Sequence, residues 1–148
     1  DKPFYLVGFS VGGNYALAYT GRAGKNRRQN TVEASDRSHL LKAVIGISNP
    51  FDLLVTERRL RSKVFGLYNA NIQGGYYEPY GYQGFAKMER FPRNEILSQL
   101  KTIYDIDALT RAPALGYKSV EDLMKGSSCG NFITDIDIPF LVVQAKDD

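Results

Sequence analysis

Residues 3–9 (PFYLVGF) form a short apolar run of β-branched and aromatic residues, the pattern of a strand covered on both faces. From Val11 the period changes: Tyr15, Ala16 and Tyr19 share one helical stripe, and Gly21 is placed to end that helix. Residues 22–38 are polar and rich in Arg, Asn, Gly and Ser, which predicts a long exposed loop or insertion with disorder in it. Apolar residues return at Leu40, and residues 43–48 read as a second buried strand, closed by Asn49-Pro50. Strand, helix, strand in this order implies a parallel sheet.

Beyond that point the pattern becomes helical. Asp52 is placed to cap a helix through Leu53, Leu54 and Leu60, and Ile96, Leu97, Leu100 and Ile103 predict another over 94–104. Between them, residues 74–85 (GGYYEPYGYQGF) have no period and many glycines, and read as an aromatic loop. A short helix is predicted from Ser119, whose hydroxyl can cap it with Asp122 three residues on, to Gly126. Pro139 then opens a third buried strand over 140–145, with Asp147 and Asp148 at its carboxyl end. The sum is an α/β chain: a mostly parallel sheet flanked by helices, with a helical, cap-like region over about 52–135. No internal repeat is visible.

Length and composition narrow this little. The chain has 148 residues, with 43% hydrophobic and 24% charged, which suits one globular domain and excludes collagen, coiled coil and wholesale disorder. No apolar run approaches the ~20 residues of a membrane span. No signal-peptide pattern is present, and a cytoplasmic or membrane-associated location is favoured. The single cysteine, Cys129, permits no internal disulfide. Residues 1–74 carry 11 Lys+Arg against 5 Asp+Glu, and 75–148 carry 8 against 11. The basic clusters at 22–28 and 58–63 read first as solvated faces, and the net +3 is too small to argue for nucleic acid as a partner.

Candidate chemistry centres on Gly8-Phe9-Ser10-Val11-Gly12, a Gly-x-Ser-x-Gly sequence between a predicted strand and a predicted helix. Such a turn strains the serine backbone, and glycines at 8 and 12 are expected to relieve the clash of side chains on either side. Ser10 would then stand above the sheet edge at a helix N-terminus as a nucleophile, with the Val11 N–H directed at an oxyanion. Neither G-x-G-x-x-G nor G-x-x-x-x-G-K is present, so the nucleotide-binding alternative for this turn is the weaker one. A serine of ordinary acidity needs a base oriented by a carboxylate. Asp147 or Asp148 follows a strand whose carboxyl end shares the edge with Ser10. His39, the only histidine, precedes the second strand and falls at the opposite edge, so the chain holds no catalytic base. Cys129 reads as a bystander thiol. No cluster of metal-ligating residues and no cofactor motif is found.

With these segments the chain resembles the α/β-hydrolase superfamily, and within it the esterase-like group of YheT-like hydrolases and embryogenesis-associated proteins. The likeness is carried by Gly8-Phe9-Ser10-Val11-Gly12-Gly13-Asn14, by Ile47-Ser48-Asn49-Pro50-Phe51-Asp52-Leu53, and by Leu109-Thr110-Arg111-Ala112-Pro113 through Gly116-Tyr117-Lys118-Ser119-Val120-Glu121-Asp122. Ser127-Ser128, Ile138-Pro139 and Ala145-Lys146-Asp147-Asp148 complete it. The resemblance implies part of a single α/β-hydrolase domain over 1–148, and a serine hydrolase of acyl esters or lipids with Ser10 as nucleophile. It places the acid at Asp148, with Asp147 as the alternative, and the histidine on a later segment outside this chain, so the 148 residues alone are expected to be inactive. It also implies membrane association through a segment ahead of this one. Two other readings stand beside it: acyl transfer to an alcohol by the same machinery, and a catalytically inert binding protein on the same fold.

Overall fold

The structure, a computed structural model, describes residues 2–33, 36–62 and 102–146, with the backbone alone for Ile103. The aromatic loop expected at 74–85, residues 94–101 of the expected helix, Lys63 of the second basic cluster, and both Asp147 and Asp148 lie outside the described residues. Contacts divide the chain into two units, Asp1–Leu53 with Gly126–Asp148 and Leu54–Lys125.

The first unit is built on a three-stranded parallel sheet in the order β1 (Phe4–Phe9), β2 (Leu41–Ile47), β3 (Phe140–Val143). The strands run as the periodicity predicts, although β3 stops at Val143, two residues short of the expected end. Helix α1 (Val11–Gln29) connects β1 to β2 and covers one face. Leu17 and Ala18 of α1 pack there with Val44 and Cys129, joined by Leu6, Val142, Phe132 and Ile136. Among the described residues of this unit, none packs over the other face. Tyr5, Val7 and Phe9 alternate outward and are exposed, as are Leu141 and Val143, so the expectation of strands buried on both faces fails here for β1 and β3. Pairing of Phe9 with Ile47 and of Ile47 with Val143 puts these outward side chains in one row.

The largest departure is at 22–38. Helix α1 does not end at Gly21 but continues two further turns to Gln29, where Asn30 takes the left-handed conformation (φ 53°) and closes it. The physical reason lies in residues 132–137. A Cβ on Gly21 would stand 2.2 Å from the Phe132 carbonyl oxygen, and one on Gly24 would stand 2.1 Å from that of Asp135. These glycines act as close-contact sites for a distant segment, and the helix runs on through both. The arginines that looked like a solvated face are likewise engaged. The Arg22 guanidinium stacks 4.5 Å over Phe132 and donates to the Gly126 carbonyl, Arg27 makes a two-pronged pair with Asp137, and Arg28 pairs with Asp135.

The second unit holds most of α2 (Leu53–Leu60), then α3 (Ile103–Leu109), α4 (Arg111–Ala114) and most of α5 (Val120–Ser127). Its buried apolar residues include Leu54, Ile106, Val120, Leu123 and Met124. The expected Ser119 cap is present, the Asp122 amide donating to its hydroxyl at 3.1 Å. Tyr104, expected at the end of a helix, instead lies in the first turn of one: Thr102 and Asp105 form a reciprocal capping box at its start.

Candidate active site

All three strands are parallel, so their carboxyl ends share one edge, and Ser10 stands there at the junction of β1 and α1. Its backbone is left-handed, φ 50° and ψ −129°, a conformation that costs a non-glycine residue about 1–3 kcal/mol unless its surroundings enforce it. The enforcement is visible. The Ser10 amide donates to the Ile47 carbonyl at 2.9 Å, holding the turn to β2, while its own carbonyl accepts from the Gly13 and Asn14 amides. Although Ser10 occupies the helix N-cap, its side chain makes no capping hydrogen bond, and the residue is exposed. Val11 opens the helix, so its N–H is among those with no intrahelical acceptor.

Glycines make this turn possible, though not the expected pair. A Cβ on Gly8 would meet the Gly12 carbonyl oxygen at 2.4 Å and the Gly13 Cα at 2.6 Å, whereas one on Gly12 meets nothing within 4 Å. The second crowded position is Gly13, where a Cβ would lie 2.7 Å from Asn49 Cβ. Gly46, paired with Gly8 across the sheet, is equally constrained, at 2.5 Å from Asn49 Oδ1 and 2.8 Å from Leu17. Three glycines thus let the helix start and one asparagine settle directly on the strands.

Beneath Ser10 lies a polar layer that sequence reasoning did not identify as such. Asn14 is fully buried; its Oδ1 accepts from the Cys129 amide at 2.7 Å and its Nδ2 donates to the Ser127 carbonyl at 2.9 Å. Asn49, also buried, directs Nδ2 at Cys129 Sγ (3.7 Å), and its Oδ1 has no hydrogen-bond partner among the described residues. The Cys129 thiol contacts the Pro50 carbonyl, and burial pushes its pKa up to about 11, which keeps it protonated and unreactive at neutral pH. Ser128 supplies its hydroxyl to the first amide of α2, that of Leu53, at 2.9 Å. The signals for this layer were the asparagines themselves, polar residues immediately flanking buried strand ends, and a glycine inside β2.

Ser48, one strand over, shares the positive φ of Ser10. It too is exposed and left-handed, φ 46°, and its amide donates to the Val143 carbonyl at 2.8 Å. Immediately after β3, Gln144 Nε2 donates to the Asn49 carbonyl at 2.6 Å. The two candidate carboxylates, Asp147 and Asp148, fall outside the described residues, three and four positions further on. His39 lies in a 3₁₀ turn (Ser38–Leu40) that leads into the start of β2, its Nδ1 3.2 Å from the Asp36 carbonyl oxygen. The seven residues of β2 separate it from the Ser10 edge by roughly 20 Å. Among the described residues no three His, Cys, Asp or Glu side chains are grouped to hold a metal ion, and no helix is long and apolar enough to cross a membrane.

Three curated proteins are similar to the chain. It is 27% identical over 161 residues to a monoacylglycerol lipase of Saccharomyces cerevisiae, an alignment covering 100% of this chain and 32% of that protein. Over 150 residues it is 25% identical to an abhydrolase domain-containing protein of Dictyostelium discoideum, covering 99% of this chain and 34% of the relative. A medium-chain fatty acid ethyl ester synthase/esterase 2 of S. cerevisiae is 27% identical over 170 residues, covering 100% and 35%. The chain therefore spans about a third of the length of the curated relatives it matches. No family model matches it, and no solved structure gives a significant match. All three relatives are α/β hydrolases, as the sequence resemblance implied, and their names do not single out the YheT-like group. The parallel sheet with α1 packed on one face is a partial α/β-hydrolase fold.

Proposed function

We propose that these residues form part of a serine hydrolase that cleaves carboxylic esters, lipid or short-chain acyl esters, with Ser10 as the nucleophile in a nucleophile elbow. The observation that carries this reading is the state of Ser10: exposed, held left-handed at a helix N-terminus, with a hydroxyl not spent on capping. The lipase and esterase names of the relatives support the same class of substrate.

In this mechanism Ser10 Oγ attacks the ester carbonyl carbon and its proton passes to a histidine outside these 148 residues. Asp148, or alternatively Asp147, orients that histidine and stabilises its charged form. The carbonyl oxygen becomes an oxyanion and takes a hydrogen bond from the Val11 N–H, with the positive end of α1 behind it. Collapse releases the alcohol, which leaves with the proton from the histidine, and water then repeats the sequence to free the acid. The isolated 148 residues, lacking the base, are inactive in this reading.

The test is labelling of the full-length protein by a fluorophosphonate probe. Labelling at Ser10 that Ser10→Ala abolishes supports the assignment, and undiminished labelling of this segment in that variant removes it. A second reading, acyl transfer from the same acyl-enzyme to an alcohol, is favoured by one relative's name, ester synthase/esterase. Product ratios with ethanol and water in competition separate the two.

A further inference from the structure

Phe9 and Ile47 are paired across the sheet, so the residues that follow them, Ser10 and Ser48, are neighbours on the same edge, one strand spacing of ~4.8 Å apart. Each is exposed, with φ at 50° and 46°. Their backbone amides are engaged in extending the ladder, Ser10 N–H to the Ile47 carbonyl at 2.9 Å and Ser48 N–H to the Val143 carbonyl at 2.8 Å. Of the hydrogen-bond donors of Ser48, only the hydroxyl is left for a molecule held at Ser10.

The turn at Ser48 has a structural use, because it carries the chain from the end of β2 to Asn49, which is 1% exposed and packed against Gly13 and Gly46. That use explains the positive φ but not the serine. Glycine adopts such a backbone without strain, whereas a residue with a Cβ does so at a cost. Other polar side chains of this unit turn their groups on the protein itself: Asn14 holds the Cys129 amide and the Ser127 carbonyl, and Ser128 takes the first amide of α2. The Ser48 hydroxyl makes no such bond among the described residues.

We propose that Ser48 is a specificity-determining residue: its hydroxyl, one strand over from Ser10, hydrogen-bonds the alcohol part of the ester and selects esters whose alcohol carries a further free hydroxyl. The inference rests on the serine-hydrolase reading of Ser10. In that reading the carbonyl oxygen is taken by the Val11 N–H, and a plain acyl chain has no group that a hydroxyl could bond. The alcohol part remains. A hydroxyl on the carbon next to the esterified one stands from the attacked carbon at a distance comparable to the strand spacing, and a serine hydroxyl can both donate to it and accept from it.

The experiment uses the full-length protein and two esters, glyceryl 1-butyrate and propyl butyrate, which share their carbons and differ in the free hydroxyls. Wild type is compared with Ser48→Gly, Ser48→Ala and Ser10→Ala. Glycine removes the hydroxyl and suits the positive φ; alanine removes the hydroxyl alone and serves should the glycine variant fail to fold. The reading is the ratio of kcat/KM on the two esters within each variant, which does not depend on how much of the enzyme is folded. The expected result is a kcat/KM about tenfold lower on the glyceryl ester and within about twofold of wild type on the propyl ester. A wild-type ratio in the Ser48 variants would overturn the inference, as would a wild type that a fluorophosphonate labels at Ser10 but that leaves the glyceryl ester intact. If Ser10→Ala is inactive while the Ser48 variants keep the wild-type ratio, only the role of Ser48 falls. If Ser10 is not labelled, or Ser10→Ala keeps full activity, the serine-hydrolase reading falls and takes this inference with it.

Discussion

Gly8 lies so close beneath Gly12 that a Cβ on Gly8 would stand 2.4 Å from the Gly12 carbonyl oxygen, yet a Cβ on Gly12 would touch nothing within 4 Å. The crowding is one-sided because the helix backbone leans over the strand while the outer side of the turn is open. Gly8→Ala should destabilise the full-length protein by about 3 kcal/mol or more, since the obstacle is backbone. Gly12→Ala should be neutral or stabilising by up to about 1 kcal/mol through helix propensity. Urea unfolding of the two variants side by side checks the asymmetry, and equal losses would contradict it.

Asn14 is the polar pin of the first unit. Its side chain satisfies the Cys129 amide and the Ser127 carbonyl from a fully buried position. Asn14→Ala leaves both without a partner and opens a small cavity, with an expected loss of about 2–4 kcal/mol. Asn14→Asp should fail as well, because a carboxylate cannot donate to the Ser127 carbonyl. Denaturant midpoints measure both.

Cys129 is wholly buried, and its thiol is pushed up to about 11 by that burial. Iodoacetamide at pH 8 should therefore leave Cys129 unmodified in the folded protein and alkylate it rapidly in urea, as read by peptide mapping. Fast modification of the folded protein would show that the layer under Ser10 opens.

The Arg27 guanidinium, mainly through its hydrogen bond, holds the Asp137 carboxyl below the usual carboxylate range. The folded state therefore binds this proton less readily than the unfolded state does. Its contribution to stability is complete above about pH 4, the unfolded value, and is lost as the pH falls through the lower folded value. Both partners are partly exposed, so Asp137→Asn should cost about 0.5–1 kcal/mol at pH 7, with the difference from wild type closing below about pH 4. Thermal melts at stepped pH give the comparison.

Strands, their parallel order and the Ser10 turn were legible because each depends on local pattern: apolar runs, and a serine between glycines where a strand meets a helix. The extent of α1 was not. Glycine at 21 and a polar, arginine-rich stretch after it are ordinary helix-ending signals, and what overrides them is tertiary. Phe132 and Asp135 press their backbones onto Gly21 and Gly24, and Asp135 and Asp137 take up Arg28 and Arg27. The start of α3 could have been found, since Thr102 and Asp105 have capping-box spacing; the apolar stripe upstream drew the boundary elsewhere. Within the candidate site, Ser10 was visible by motif. Asn14, Asn49 and Gln144 were not, because their partners lie 113, 80 and 95 positions away in the chain.

Four glycines in the 19 residues of α1, each close to 1 kcal/mol less favourable in a helix than alanine, leave this segment with little reason to be helical by itself. Its order must come from what it lies against, so it should condense only as the sheet and the 132–137 segment close around it. Amide exchange in α1 should then track that of β2 residue for residue, the two opening as one cooperative block. The Ser10 turn, caught between them, takes its rigidity from that shared event, so that opening of the block removes the geometry of the candidate active serine and strand β2 in a single step.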